Sequence, residues 1–202
     1  MSGSPITRPS LLVRIRDTAD HQAWSQFVEL YAPLIHGFAR KHGLQDADAA
    51  DLTQDVLRVV AKTIGGLDYD RERGSFRGWL FTVVRNKLRN FATRRRSYEQ
   101  GTGDTDAYKL LQEQPAPQEE SAALWDQDYE RQLFACAAKQ VRGKVHDSTW
   151  QAFWQTTVLG NSGKEAAEEL KMTVAAVYLA KSRVMAQLKE QIRQLREEAG
   201  ES

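Results

Sequence analysis

The stretch Phe76-Arg-Gly-Trp-Leu-Phe-Thr-Val-Val-Arg-Asn-Lys-Leu-Arg-Asn-Phe91 decides between helix and strand. Phe76, Leu80, Val83, Val84, Leu88 and Phe91 recur at i, i+3, i+4 and i+7 spacing, the signature of one buried helix face. A helix is predicted over 76–95, entered from the polar loop Asp68-Tyr-Asp-Arg-Glu-Arg-Gly-Ser75. With that face inward, Arg85 and Arg89 lie one turn apart, as do Asn86 and Asn90. The same period holds on the N-terminal side. Thr53, Val56, Leu57, Val60 and Ile64 mark a helix over 46–64 that ends at Gly65-Gly66. Trp24, Phe27, Val28, Tyr31, Leu34, Ile35 and Phe38 mark another region, with Asp20 as N-cap and Gly43 as its stop. Pro33 is expected to divide it into two consecutive helices, because proline disfavours helical geometry in the residue before it.

On the C-terminal side, residues 97–120 carry Gly101, Gly103, Pro115 and Pro117 among acids, the composition of a flexible linker. Helical spacing then resumes. Trp125, Tyr129, Leu133 and Cys136 share a stripe, and Trp150, Phe153, Trp154 and Val158 share another, capped by Asp147 or Ser148. Gly160-Asn-Ser-Gly163 interrupts the chain before a short helix over 164–170. Thr173 caps a long last helix that turns Val177, Val184, Leu188, Ile192 and Leu195 inward. Short helix, tight turn and longer helix make a helix-turn-helix pattern over 162–197. The expected fold is all-α: two small helical domains, 10–96 and 121–198, joined by a flexible acidic linker over 97–120.

Of 202 residues, 41% are hydrophobic and 27% charged, which excludes a disordered chain. No apolar run approaches the ~20 residues that span a bilayer, so no membrane insertion is expected. The N-terminus lacks a signal-peptide core, which points to the cytoplasm. Cys136 is the single cysteine, and the four histidines are scattered, so neither a disulfide framework nor a zinc site is expected. The net charge of +1 hides segregation. Arg71 to Arg96 holds eight arginines and Lys87 against Glu72 alone, whereas Glu99 to Asp128 holds eight acids against Lys109 alone. A polyanion-binding segment thus lies beside an acidic one.

Three constellations carry chemistry. Arginine offers bidentate donors to phosphates and guanine edges, and asparagine does the same for adenine. This nominates Arg73, Ser75, Arg85, Asn86, Arg89, Asn90, Arg94, Arg95 and Arg96 as nucleic-acid contacts, with Phe76, Trp79 and Phe81 able to stack on unpaired bases or to fill the core. On the last helix Thr173, Tyr178, Lys181, Ser182 and Arg183 could meet a major groove. Asp48, Asp51 and Asp55, with Asp46 just before, form an acidic ladder that suits magnesium or a protein-docking face. No opposing acidic cluster is evident, so no metal and no other cofactor is expected.

Residues 24–96 resemble region 2 of sigma factors, and residues 125–195 resemble region 4. Asp46-Ala-Asp-Ala-Ala-Asp-Leu-Thr-Gln-Asp-Val-Leu-Arg-Val-Val is similar to that family's D-A-E-D-L-x-Q-E-x-F run. Gly74-Ser-Phe-Arg-Gly-Trp-Leu-Phe-Thr-Val-Val-Arg-Asn-Lys-Leu-Arg-Asn-Phe is similar to its F-x-x-W-L-x-x-I-A-x-N-x-x-x-D/N-x-x-R segment. The absent middle region and short length place the resemblance in the extracytoplasmic-function group. It implies a non-enzymatic subunit that directs RNA polymerase to promoters. Asp48, Asp51, Leu52, Gln54, Asp55 and Arg58 would dock on the β′ clamp, the 71–96 segment would read and open the −10 element, and the helix-turn-helix would read −35. Implied partners are core RNA polymerase through its β′ clamp and β flap, promoter DNA, and an anti-sigma factor or other regulator. In the last helix Met172-Thr-Val-Ala-Ala-Val-Tyr-Leu-Ala-Lys-Ser-Arg-Val184 departs from the usual V-x-x-G-T-V-K-S-R-L-x-R-A, keeping Val177 and Arg183. Tyr178 stands where lysine is usual, Ala180 where arginine is, and Lys181 where leucine is. Two other readings are a stand-alone helix-turn-helix regulator and, from another class, a small magnesium-dependent helical enzyme using the aspartate ladder.

Overall fold

The computed structural model describes residues 10–66, 75–99 and 118–200; for 93–99 and 118–119 only the helical backbone is described. Among the described residues every regular element is a helix: α1 (Leu11–Arg14), α2 (His21–Lys41), α3 (Asp46–Thr63) with a 3₁₀ turn at Ile64–Gly66, α4 (Phe76–Glu99), α5 (Gln118–Arg142), α6 (Asp147–Thr157), α7 (Gly163–Leu170) and α8 (Val174–Glu198). The chain forms two compact units, Met1–Gln132 with Glu198–Ser202, and Leu133–Glu197.

In the first unit an aromatic core joins α2, α4 and the first part of α5. Phe27 and Tyr31 meet Phe76 edge-on, Phe38 meets Phe81 and Trp125 edge-on, and Tyr31 stacks on Tyr129. The start of α2 is capped as expected, the Asp20 carboxylate accepting from the Ala23 N–H at 2.9 Å. Gly43, at φ +86°, turns the chain after α2 in a conformation a side chain would oppose.

Pro33 does not divide α2, which runs unbroken through it. Proline has no N–H for the carbonyl of Glu29 one turn earlier. That carbonyl accepts instead from Gln132 Nε2 of α5 at 3.0 Å, so a neighbouring helix satisfies the lost bond. The expected start of the second domain also shifts. The first part of α5 belongs to the first unit, because Trp125 and Tyr129 are buried there against α2 and α4. Residues 97–99 and 118–120, read as linker, are helical; residues 100–117 lie outside the described residues.

The second unit contains the later part of α5 and helices α6 to α8. Ala137, Val141, Trp150, Phe153, Val184 and Leu188 form one cluster. Ala152, Ala166, Ala167, Val177 and Ala180 form another, where small side chains let α6, α7 and α8 approach closely. The cap of α6 is His146 rather than Asp147 or Ser148: its Nδ1 accepts from the Ser148 N–H, and Asp147 sits in the first turn.

Candidate nucleic-acid interface

Helix α4 is held by its apolar stripe and by Ser75, whose hydroxyl accepts the Gly78 N–H at 3.1 Å. That bond makes Ser75 an N-cap as well as an exposed polar residue at the helix entrance. Phe76, expected to stack on bases or to fill the core, is core: it is buried against Phe27, Tyr31 and Trp79, and Phe81 is buried beside Phe38. Neither ring can receive a base without leaving that core. Their burial fixes which residues face out. Asn86, Arg89 and Asn90 are exposed, and Arg85 is half-buried with its guanidinium over the Phe81 ring at 5.6 Å. Arg73 and the side chains of Arg94, Arg95 and Arg96 lie outside the described residues.

Arg77, not singled out in the sequence, is held at the start of α4. Its Nε lies 3.1 Å from Asp126 and its guanidinium sits 4.7 Å from the centre of the Tyr129 ring. Both partners are on α5, one turn apart, and Tyr129 is itself part of the buried core. The signal was present in the sequence as an acid on the aromatic stripe's flank, but only the fold supplies the arginine opposite.

Helix α3 presents Asp51, Gln54 and Arg58 to solvent, with Asp48 half-buried. Leu52, placed among the docking residues, is buried at 4% exposure. It packs inward and orients the face instead of forming it. Asp55 is committed to cations: Arg58 Nη1 lies 2.9 Å from one carboxylate oxygen and Lys87 Nζ of α4 lies 3.6 Å from the other. The aspartate ladder therefore divides, with Asp51 outward and Asp55 tying α3 to α4. Among the described residues no three His, Cys, Asp or Glu gather as metal ligands would.

The helix-turn-helix is closed by reciprocal bonds. The Ser162 hydroxyl accepts the Glu165 N–H at 3.2 Å while the Ser162 N–H donates to the Glu165 carboxylate at 2.7 Å, a capping box. These donors, the backbone N–H first and the hydroxyl second, hold the Glu165 carboxyl below its usual range. After α7, Lys171 turns left-handed at φ +53°, and the Met172 N–H reaches back to the Ala167 carbonyl at 2.9 Å. Thr173 then caps α8, accepting the Ala176 N–H at 3.1 Å. On α8, Tyr178, Ser182 and Arg183 are exposed and Lys181 is half-buried. The Tyr178 ring lies so close over Gly163 that a Cβ there would stand 2.7 Å from it.

The model of Sigma-70 region 2 matches residues 27–98, which span α2, α3 and α4. Over 188 residues the chain is 27% identical to the RNA polymerase sigma factor NccH of Alcaligenes xylosoxydans xylosoxydans, covering 91% of this chain and 95% of that protein. It belongs to the sigma-70 family, in the extracytoplasmic-function group. This sigma factor is also 26% identical over 166 residues to CnrH of Cupriavidus metallidurans, covering 79% of this chain and 81% of the relative. It is 32% identical over 78 residues to the ECF sigma factor RpoE of Cereibacter sphaeroides, 39% of this chain and 42% of that one. Among solved structures it is similar to CnrH in complex with the cytosolic domain of CnrY, with a TM-score of 0.34 and 22% identity over 91% of this chain and 95% of the other. No helix among the described residues is long and apolar enough to cross a membrane. For this sigma factor the region 2 match covers both outward faces, that of α3 and that of α4, while the helix-turn-helix lies beyond it.

Proposed function

We propose that this sigma factor directs core RNA polymerase to promoters by binding alone, with no covalent step, in the cytoplasm. One observation carries the proposal: burial of Phe76, Leu80, Phe81 and Val84 turns Asn86, Arg89 and Asn90 outward on α4. An outward asparagine can address an adenine edge, and arginines spaced along a helix can follow phosphates. The exposed Asp51, Gln54 and Arg58 of α3 offer a separate polar face for the polymerase clamp, so both partners can be held at once. The first unit is assigned polymerase and the −10 element, and the second, Leu133–Glu197, is assigned −35 and the β flap. An anti-sigma factor or other regulator completes the proposed set of partners.

Run-off transcription with core polymerase, on duplex templates carrying a randomised −10 element, tests the proposal. Asn86→Ala should change which sequences are preferred. Replacing Arg94, Arg95 and Arg96 with alanine should weaken all templates alike and flatten the salt dependence. A uniform loss with unchanged base preference in Asn86→Ala would assign α4 to positioning only and place sequence reading elsewhere.

A further inference from the structure

Before Lys181, the head of α8 carries none of the charged or amide groups that usually read base edges. Its first two turns, Val174-Ala-Ala-Val-Tyr-Leu-Ala-Lys181, contain no amide, guanidinium or carboxylate. What they expose is apolar: Val174 at 41%, Tyr178 at 56% and Leu179 at 63%, beside the exposed methyl of Ala175. In a helix-turn-helix these N-terminal turns are the part that enters the major groove. Along the helix itself the charge fits a polyanion. From Lys171 to Lys189 the chain has four cations, Lys171, Lys181, Arg183 and Lys189, and no acid. One set of groups in the major groove is apolar, the thymine 5-methyls, which side chains recognise by contact rather than by hydrogen bonds.

We infer that α8 reads thymine methyl groups, with Leu179 as the principal contact and Tyr178 as its fixed neighbour, while Lys181 and Arg183 hold the flanking phosphates. Tyr178 is placed by its contact with α7, its ring lying on Gly163 so closely that a Cβ there would stand 2.7 Å away. Leu179, the next residue along the helix, is the most exposed of the three apolar side chains, so it is available to the groove. The upstream promoter element of this sigma factor is accordingly rich in thymine, and selectivity there depends little on salt. The inference rests on the proposed promoter role.

The test uses full-length protein with core polymerase. Genomic fragments that support run-off transcription are first identified. Thymines of their upstream element are then replaced by deoxyuridine, which removes the methyl and keeps every hydrogen-bonding group. Each contacted methyl should be worth about fourfold in open-complex formation. Leu179→Ala should show the same loss on thymine templates and respond no further to deoxyuridine; the exposure of Leu179 makes loss of fold no explanation, which circular dichroism checks. If deoxyuridine has no effect while Leu179→Ala still weakens initiation, the face binds protein and the inference is overturned. Equal deoxyuridine losses in wild type and Leu179→Ala overturn it too. If wild-type protein supports initiation on no genomic fragment, the promoter role itself fails and takes this inference with it.

Discussion

Lys171 holds a left-handed conformation at φ +53° with a full side chain. The helix-turn-helix needs that geometry, since it lets Met172 turn back onto Ala167 and pack against the alanine cluster. For a residue other than glycine the left-handed region costs about 1–2 kcal/mol. Lys171→Gly should therefore stabilise the second unit by about 0.5–1 kcal/mol after the larger entropy of unfolded glycine is deducted, measured as a rise in the urea midpoint followed by tryptophan fluorescence. Ser162→Ala, which removes the cap at the other end of α7, should lower it by about 1 kcal/mol. Acid should weaken the same unit. Glu165 is held below its usual 4.5 by Ser162, and Glu190 is lowered from 4.5 to about 2, by Arg193 first and Gln194 second. Both folded values lie below the unfolded one, so their stabilisation is complete above about 4.5 and is lost as pH falls, for Glu190 over the interval down to about 2. A Glu165→Gln, Glu190→Gln double variant should show a smaller fall in urea midpoint between pH 6 and pH 3 than wild type does.

Among the elements, α5 carries the most consequence for α4. Its Trp125 is 1% exposed between Phe38 and Phe81, and its Asp126 and Tyr129 hold Arg77. Trp125→Ala should cost about 3–5 kcal/mol by opening a cavity under α4, measured by thermal unfolding, and should weaken DNA binding without touching DNA. The helical periodicity of α5 was plain in the sequence, as were the outward Asn86, Arg89 and Asn90 of α4. What periodicity could not supply is the partner of each stripe. Trp125 and Tyr129 lie C-terminal to the expected linker and so read as part of the next domain, yet their aromatic partners are Phe38, Phe81 and Tyr31. Pro33 failed for the same reason: a local rule breaks the helix, and a side chain a hundred residues away, Gln132, repairs it. Spacing likewise could not separate Asp51 from Asp55, because only the packing of α4 brings Lys87 to one of them.

For the whole molecule, the exposed face of α3 and the segregated charges set how binding to polymerase and to DNA divide. Asp51→Arg with Gln54→Arg should weaken capture of core polymerase by at least about tenfold with unchanged helix content, since both side chains are exposed. Asp55 is a poor choice for that experiment because it ties α3 to α4. The acids between Glu99 and Asp128 lie next in sequence to a basic segment of net charge +8. One of them, Asp126, is already seated on Arg77 of that segment. Such pairing lowers the positive potential that a DNA backbone would meet. Deleting residues 99–118 should therefore raise affinity for random-sequence duplex, and Asp126→Asn should raise it further by removing the carboxylate beside Arg77. Both gains should shrink as salt approaches the range where exposed charges are screened. Fluorescence anisotropy across a salt series, on the protein without polymerase, measures them. Affinity that matches wild type at every salt concentration in both variants would show that the acids leave the basic segment open, and discrimination against random DNA would then have to arise only once polymerase is bound.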